Sequence, residues 1–283
     1  RLLIITPTAF PYLTGNAITV ERWRRFLVKL GIRVKVIGIQ NDTRHDDFLF
    51  VYEHIRDFKP DVVHAHHAFK TGRLLVKSDR GFVSGDIPFV ISCAGTDINH
   101  DIASSEKRGI ILEVLKNAKG IITQSKDIAI KINDLSNDFQ NRVYHVPKSL
   151  VWLGSAAFDL RAAAGCKPRD ILFFLPAGIR PVKRNLECLK AFIEVNRTRP
   201  SAKIVFAGPK LDAKYAGQFL KILERCEGFA RWIPAIPPEA MRSAYSGADI
   251  TLNTSSSEGF SNVLLEALTS GRPILASDIQ SNR

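Results

Sequence analysis

Cysteine is scarce and scattered. The four residues (Cys93, Cys166, Cys188 and Cys226) contain no C-x-x-C pair, which argues against both a zinc ribbon and a disulfide framework. Long apolar runs are missing too. The opening run, Leu2–Ile5, stops at Thr6-Pro7, too short for a membrane span or the apolar region of a signal peptide. There is no short repeat, no low-complexity tract and no dense basic block. The net charge of +12 is spread evenly: 22 basic against 16 acidic residues in 1–150, and 18 against 12 in the remainder. A nucleic-acid binder would show a clustered basic stripe and a recognisable module, so that class is disfavoured. An even positive excess suits anionic ligands or an anionic membrane surface. The expected setting is cytoplasmic, with peripheral contact to a membrane left open.

What is present is a soluble globular composition, 45% hydrophobic and 24% charged over 283 residues, enough for one large or two ordinary domains. Short apolar runs alternate with amphipathic stretches. Leu2–Ile5, Val34–Ile37, Val62–His64, Phe89–Ser92, Gly120–Thr123 and Val143–Val146 have strand character. The spacing predicts helices over 16–30, 48–58, 106–117 and 126–135. The pattern restarts after an irregular stretch ending in Gly165-Cys166-Lys167-Pro168. Five further strands (171–175, 203–207, 230–233, 250–253 and 273–276) alternate with helices at 186–196, 216–226, 238–246 and 262–268. Strands apolar on both faces and separated by helices indicate parallel sheets covered on both sides. The expected fold class is α/β, with two doubly wound Rossmann-like domains: 1–150, a linker over 151–168, and 169–283. In such sheets ligands bind beyond the carboxyl ends of strands, so a facing cleft is expected. The last strand is followed only by a loop, and the pattern predicts a truncated C-terminal end.

The stretch Ser257–Leu268, S-E-G-F-S-N-V-L-L-E-A-L, carries two carboxylates eight positions apart. Eight helical residues span roughly 12 Å, whereas carboxyl pairs that cleave glycosidic bonds sit about 5–9.5 Å apart. An acid/base pair is therefore disfavoured. The amides of Gly259, Phe260, Ser261 and Asn262 lie between the two acids at a helix N-terminus, with Ser261 or Asn262 as cap, a setting suited to phosphate. A ligand with hydroxyls at both ends and a diphosphate between them fits this layout, which describes a nucleotide sugar. The plain alternative is an ordinary helix with two surface glutamates.

Glu258–Glu266 resembles the E-x7-E motif of retaining glycosyltransferases of the GT-B fold, group 1 (family 4). Pro273–Asp278, P-I-L-A-S-D, is similar to the segment that comes after that motif in the family. The resemblance implies that Glu258 meets the donor sugar and Glu266 the ribose. It also implies that Arg180 and Lys183, in Ala177–Asn185, grip the donor diphosphate. Arg180 is three residues before Lys183, closer than the family's usual spacing, but both long cationic stems can reach one pyrophosphate.

After the first strand comes Tyr12–Arg25, Y-L-T-G-N-A-I-T-V-E-R-W-R-R. Its Thr14-Gly15-Asn16 stands where the family carries a Gly-rich loop facing the donor, since a glycine lets the backbone approach a ligand. Together with Ser92–Asn99, S-C-A-G-T-D-I-N, and the R-x-V-K spacing, this looks most like the subgroup of the vertebrate glycosyltransferase one-domain-containing protein. His64 and His66 in D-V-V-H-A-H-H share a face if the strand persists. A metal site would want a third ligand and a carboxylate, and none can be located. The family has a similar H-x-H without a metal role, so His64 and His66, with Thr96 and Asp97, are structural or acceptor-side candidates. Many family members have a histidine where this chain has Ala94, which argues against a His-assisted mechanism.

The resemblance implies a transferase moving a hexose from a UDP-, GDP- or ADP-sugar to an acceptor with anomeric configuration retained, needing no cofactor or metal. Arg180, Lys183 and Glu258 are the catalytic candidates. Gly15, Asn16, Gly259, Phe260, Ser261, Asn262 and Glu266 are the donor contacts. The acceptor, whether glycan, lipid-linked or small molecule, has no signature. Two other classes stay open: a nucleotide-sugar epimerase of the same fold, which would turn over donor without acceptor, and a non-catalytic nucleotide-sugar binder.

Overall fold

The computed structural model describes residues 1–39, 46–76 and 87–283. The chain divides into two compact units, Arg1–Lys148 and Ser149–Arg283. The first unit runs β1 (Leu2–Thr6), α1 (Gly15–Lys29), β2 (Val34–Gly38), α2 (Asp47–Phe58), β3 (Val62–His66), β4 (Phe89–Cys93), α3 (Thr96–Asn99), α4 (Ser105–Asn117), β5 (Gly120–Thr123), α5 (Lys126–Leu135) and β6 (Val143–His145). Its six strands are all parallel and ordered β2-β1-β3-β4-β5-β6. Leu3 and Ile5 of β1, Val63 and Ala65 of β3 and Ile91 of β4 share one buried cluster with Val51 and Ile55 of α2, Ile111, Val114 and Leu115 of α4 and Ile128 and Ile132 of α5. The alternation of side chains along a strand sends His64 and His66 to the opposite face, where Trp23 of α1 lies against both.

The second unit runs α6 (Leu160–Ala163), β7 (Ile171–Pro176), α7 (Asn185–Thr198), β8 (Ala202–Ala207), α8 (Ala213–Leu223), β9 (Ala230–Ile233), α9 (Met241–Gly247), β10 (Ile250–Asn253), α10 (Asn262–Thr269) and β11 (Ile274–Ala276). Its parallel sheet is ordered β11-β10-β7-β8-β9. Both faces are covered, as the doubly apolar strands require. Leu172 and Phe174 enter one cluster and Leu175 the other; in β8, Val205 and Ala207 alternate likewise with Ile204 and Phe206.

Residues 151–168, expected as a linker, fall inside this second unit and contain α6. Leu160 is fully buried against Phe174, Ala244 and Tyr245 in one cluster. Burying one leucine is worth about 1.5–3 kcal/mol, enough to tie this segment to the core.

Candidate functional site

In the second sheet the chain goes from β7 to β8 and β9, then returns to the other side of β7 as β10. The loops leaving β7 and β10 therefore turn in opposite directions, and this switch of strand order is where open α/β sheets bind ligands. The loop after β7 holds Arg180 and Lys183; the loop after β10 holds Glu258. Thr254 Oγ1 donates to the Lys183 carbonyl at 2.7 Å, and the Ser256 amide donates to the Val182 carbonyl at 2.9 Å. Across this seam Lys183 Nζ pairs with Glu258 Oε1, which also accepts from Ser255 Oγ at 2.7 Å. Both charged side chains are largely buried, at 15% and 14% exposure. Desolvation costs such a pair energy, but the attraction between its charges is far less screened by salt than that of a surface pair.

Several supports fix the Arg180–Lys183 loop. Asn185, fully buried at the start of α7, accepts from the Arg180 amide at 3.3 Å. Ile179 is clamped to the loop after β8, donating to the Pro209 carbonyl at 2.8 Å. There the two backbones approach so closely that a Cβ on Gly208 would lie 2.6 Å from the Ala177 carbonyl, and Gly208 has φ +151. Only glycine fits without strain. Lys183 ends a one-turn 3-10 helix, and Arg184 enters α7 with φ 51, an uncommon left-handed turn for a residue with a side chain. Among the described residues, the exposed Arg180 guanidinium makes no hydrogen bond or ion pair.

Ser261 is the N-cap of α10, as its position suggested, but makes no side-chain bond to the helix's first turn. Its hydroxyl is instead bonded by Asn253 Nδ2 at 2.7 Å, while Asn253 Oδ1 receives the Ser255 amide at 3.1 Å. The first turn carries no acidic residue. The Ser261 hydroxyl therefore does not cap α10, and the first turn brings no carboxylate of its own to the helix's positive end. One turn further along, Glu266 is 7% exposed and accepts from the buried Tyr245 hydroxyl at 2.7 Å.

The first unit has its own set of sequence candidates. Thr14 caps α1 through the Ala17 amide at 3.3 Å and meets the Thr8 hydroxyl. Gly15 opens the helix; a Cβ there would touch nothing within 4 Å. Glu21 of the same helix is used internally: burial alone would raise its pKa, but hydrogen bonds from Arg24 and Arg25 at 2.7–2.8 Å hold it low.

His64 stacks on Trp23 with centroids 5.2 Å apart and bonds Ser92 Oγ through Nε2 at 2.7 Å. Burial lowers its pKa to about 4. His66 is pushed well below its usual range by burial first, then by His64, His67 and Lys148. Both are neutral at physiological pH.

Asp97 is fully buried and accepts the amides of Ala68, Ala94, Gly95 and Ile98 at 2.8–3.1 Å. It ties the end of β3 to the end of β4, so its carboxylate is occupied by the fold. Thr96 bonds His67 Nε2 at 3.1 Å. The Lys70 amide donates to His67 Nδ1, which leaves the ring proton on Nε2 and makes His67 the donor to Thr96.

Lys183 and Glu258, far apart in sequence, are thus brought together, with Arg180 in the same loop and Gly259–Asn262 leading into α10. Ser255, Asn185, Asn253, Tyr245 and His67 were not singled out from sequence. Ser255 lies in a serine run and Asn185 follows Lys183-Arg184, which are weak cues. Tyr245 gave no cue beyond an apolar helix. Among the described residues no group of three His, Cys, Asp or Glu could hold a metal ion, and no helix is long and apolar enough to cross a membrane.

Solved structures share this architecture over nearly the whole chain. The Anabaena protein HepE, in complex with UDP and glucose, superposes with a TM-score of 0.74 at 14% identity, over 99% of this chain and 82% of that one. The glycosyltransferase WaaG gives 0.69 at 16% identity, over 99% and 81%. The fold is GT-B. Within it, residues 158–283 match the family model described as glycosyl transferases group 1. The sequence is also similar to glycosyltransferase 1 domain-containing protein 1 of Xenopus tropicalis, 27% identical over 74% of this chain and 62% of the relative. A D-inositol 3-phosphate glycosyltransferase of Rhodococcus erythropolis is 29% identical over 42% of this chain and 28% of its own length. This GT-B chain therefore spans less than two thirds of the length of either relative.

Proposed function

We propose that the protein is a retaining glycosyltransferase that takes a nucleoside-diphosphate hexose at the carboxyl end of its second sheet. The observation that carries this reading is the junction of Lys183 and Glu258 at the β7/β10 switch point, in the loops that lead to the N-termini of α7 and α10. Lys183 and Arg180 take oxygens of the diphosphate, and the Gly259–Asn262 backbone adds the helix N-terminus. As the glycosidic bond breaks, negative charge grows on the leaving diphosphate, and fixed cations and amides stabilise it most at that moment. Glu258 accepts from sugar hydroxyls and Glu266 from the ribose.

UDP-glucose is the first donor to test, because HepE was solved with UDP and with UDP-glucose; GDP- and ADP-sugars come next. On the acceptor side we assign His64 and Asp97 to the frame that holds the loops, since burial and internal hydrogen bonds occupy them, and His66 to the same frame on its burial against Trp23. With four free cysteines and a net charge of +12, we assign the activity to the cytoplasm, where an anionic membrane surface or lipid-linked acceptor would be attracted.

The test is proton NMR of donor hydrolysis in the absence of acceptor. Water then stands in for the acceptor, UDP departs, and α-glucose appears first if configuration is retained. Initial release of β-glucose contradicts retention. Release of an isomerised sugar points to an epimerase.

A further inference from the structure

The Glu266 carboxylate sits in the interior of an eight-residue helix, almost out of water. Buried glutamates are rare unless something holds them. Among the partners of Glu266 is a neutral donor, Tyr245 Oη at 2.7 Å, reaching across from α9 to α10. The tyrosine is itself closely packed. Its ring is fully buried between Phe174 of β7, with centroids 5.3 Å apart, and Trp152, 6.1 Å away. A buried phenol needs a partner for its hydroxyl, and this one finds it in Glu266.

We infer that Tyr245 is the positioning residue that aims the Glu266 carboxylate, and that it thereby sets the preference for a ribonucleotide over a deoxyribonucleotide donor. The inference rests on the assignment of Glu266 to the ribose made above. The chemistry favours a phenol for this task. A phenol fixes one carboxylate oxygen without bringing a charge of its own. A carboxylate offers about four lone-pair positions, and Tyr245 takes one of them. Hydrogen bonds from hydroxyls to an ionised, preoriented acceptor are the strong kind. A carboxylate free to rotate would first have to be ordered by the ligand, which weakens binding.

The experiment measures dissociation constants by calorimetry for UDP, GDP and ADP, each against its 2′,3′-dideoxy analogue. The parent chain, Tyr245→Phe, Glu266→Gln and the double variant are compared on the base the parent binds best. The parent is expected to prefer the ribonucleotide. Glu266→Gln removes that preference. Tyr245→Phe lowers it by about tenfold, the scale of one hydrogen bond to a charged group, with the dideoxy affinity unchanged. In the Glu266→Gln background Tyr245→Phe adds nothing.

The dideoxy nucleotide serves as the internal control for folding. If Tyr245→Phe weakens both nucleotides equally, or fails to fold, the tyrosine is a packing residue and the inference is overturned. If it changes neither while Glu266→Gln abolishes the preference, Tyr245 plays no positioning part, though the Glu266 assignment stands. If Glu266→Gln leaves the preference intact, or the parent binds no nucleotide, the Glu266 assignment itself fails.

Discussion

Lys183 and Glu258, 75 positions apart in sequence, form an ion pair across the two loops at the switch point of the second sheet. On the proposed function these partners must part, or share, when donor arrives: the lysine turns to the diphosphate and the glutamate to the sugar. The pair is therefore an internal competitor for the ligand. Glu258→Gln removes the competing charge without changing shape. Calorimetry should show UDP binding as tightly as to the parent or more tightly, while UDP-glucose loses its advantage over UDP and turnover falls by roughly tenfold or more. Equal losses for UDP and UDP-glucose would place Glu258 away from the sugar.

Two glycines separate support from ligand approach. Gly208→Ala forces a Cβ to within 2.6 Å of the Ala177 backbone at φ +151. It should lower unfolding stability by about 1–3 kcal/mol and shift the Arg180–Lys183 loop. Gly15→Ala meets nothing within 4 Å and should cost no stability, with a gain of up to about 1 kcal/mol from helix propensity. Loss of donor affinity in Gly15→Ala, with urea midpoint unchanged or higher, is the signature of a ligand occupying that space. Unchanged affinity would remove Gly15 from the donor site.

The buried histidines make the first unit sensitive to acid. The His64 pKa falls from 6.5 in the unfolded chain to about 4 in the fold, so the unfolded state binds more protons between those values. Stability is fully present above pH 6.5 and declines as pH falls toward 4, by about 3 kcal/mol for a shift of this size; His66 shifts in the same direction. Urea unfolding at pH 7.5 and 5 should show this loss, and His64→Phe should reduce it. A parent equally stable at both pH values would contradict the assignment of neutral, buried rings.

Asp97→Asn tests the frame at the ends of β3 and β4. Four backbone amides now converge on one carboxylate. An amide side chain turns a donor toward some of them, so stability should drop by roughly 2–3 kcal/mol. The thermal midpoint reads this directly. A midpoint equal to the parent's would return Asp97 to the acceptor-side candidates.

The doubly wound sheets were legible because strands such as Ile171–Leu175 are apolar at every position, a pattern that a sheet open on one face does not need. The third strand was read as ending at His64, and the structure carries it on to His66 as β3. The Lys183–Glu258 pair was not legible as a contact. Each residue was visible in its own motif, but only the strand order, with β10 beside β7, brings them together. Tyr245 was hidden for another reason: one phenol oxygen in an apolar helix leaves no periodic trace. Asp97 looked like a candidate ligand because a loop carboxylate after a strand has two uses, capping and contact. Four amides converge on it, from Ala68 after β3 and from Ala94, Gly95 and Ile98 after β4, and no local pattern connects the two groups. The Leu160 segment had the composition of a linker, and it is tied to the second unit by the burial of Leu160, the Arg161–Asp249 ion pair and the bonds between Phe158 and Ser243, none of which has a local pattern.

The most direct test of the central claim is calorimetric titration of UDP-, GDP- and ADP-glucose into the parent protein and into Lys183→Ala. The account predicts that one of the three binds the parent and that Lys183→Ala weakens it by roughly ten- to a hundredfold, the scale of a lost charge-assisted contact to phosphate. Binding of none of them, or equal affinity in parent and variant, would contradict a nucleotide-sugar site at the β7/β10 switch point.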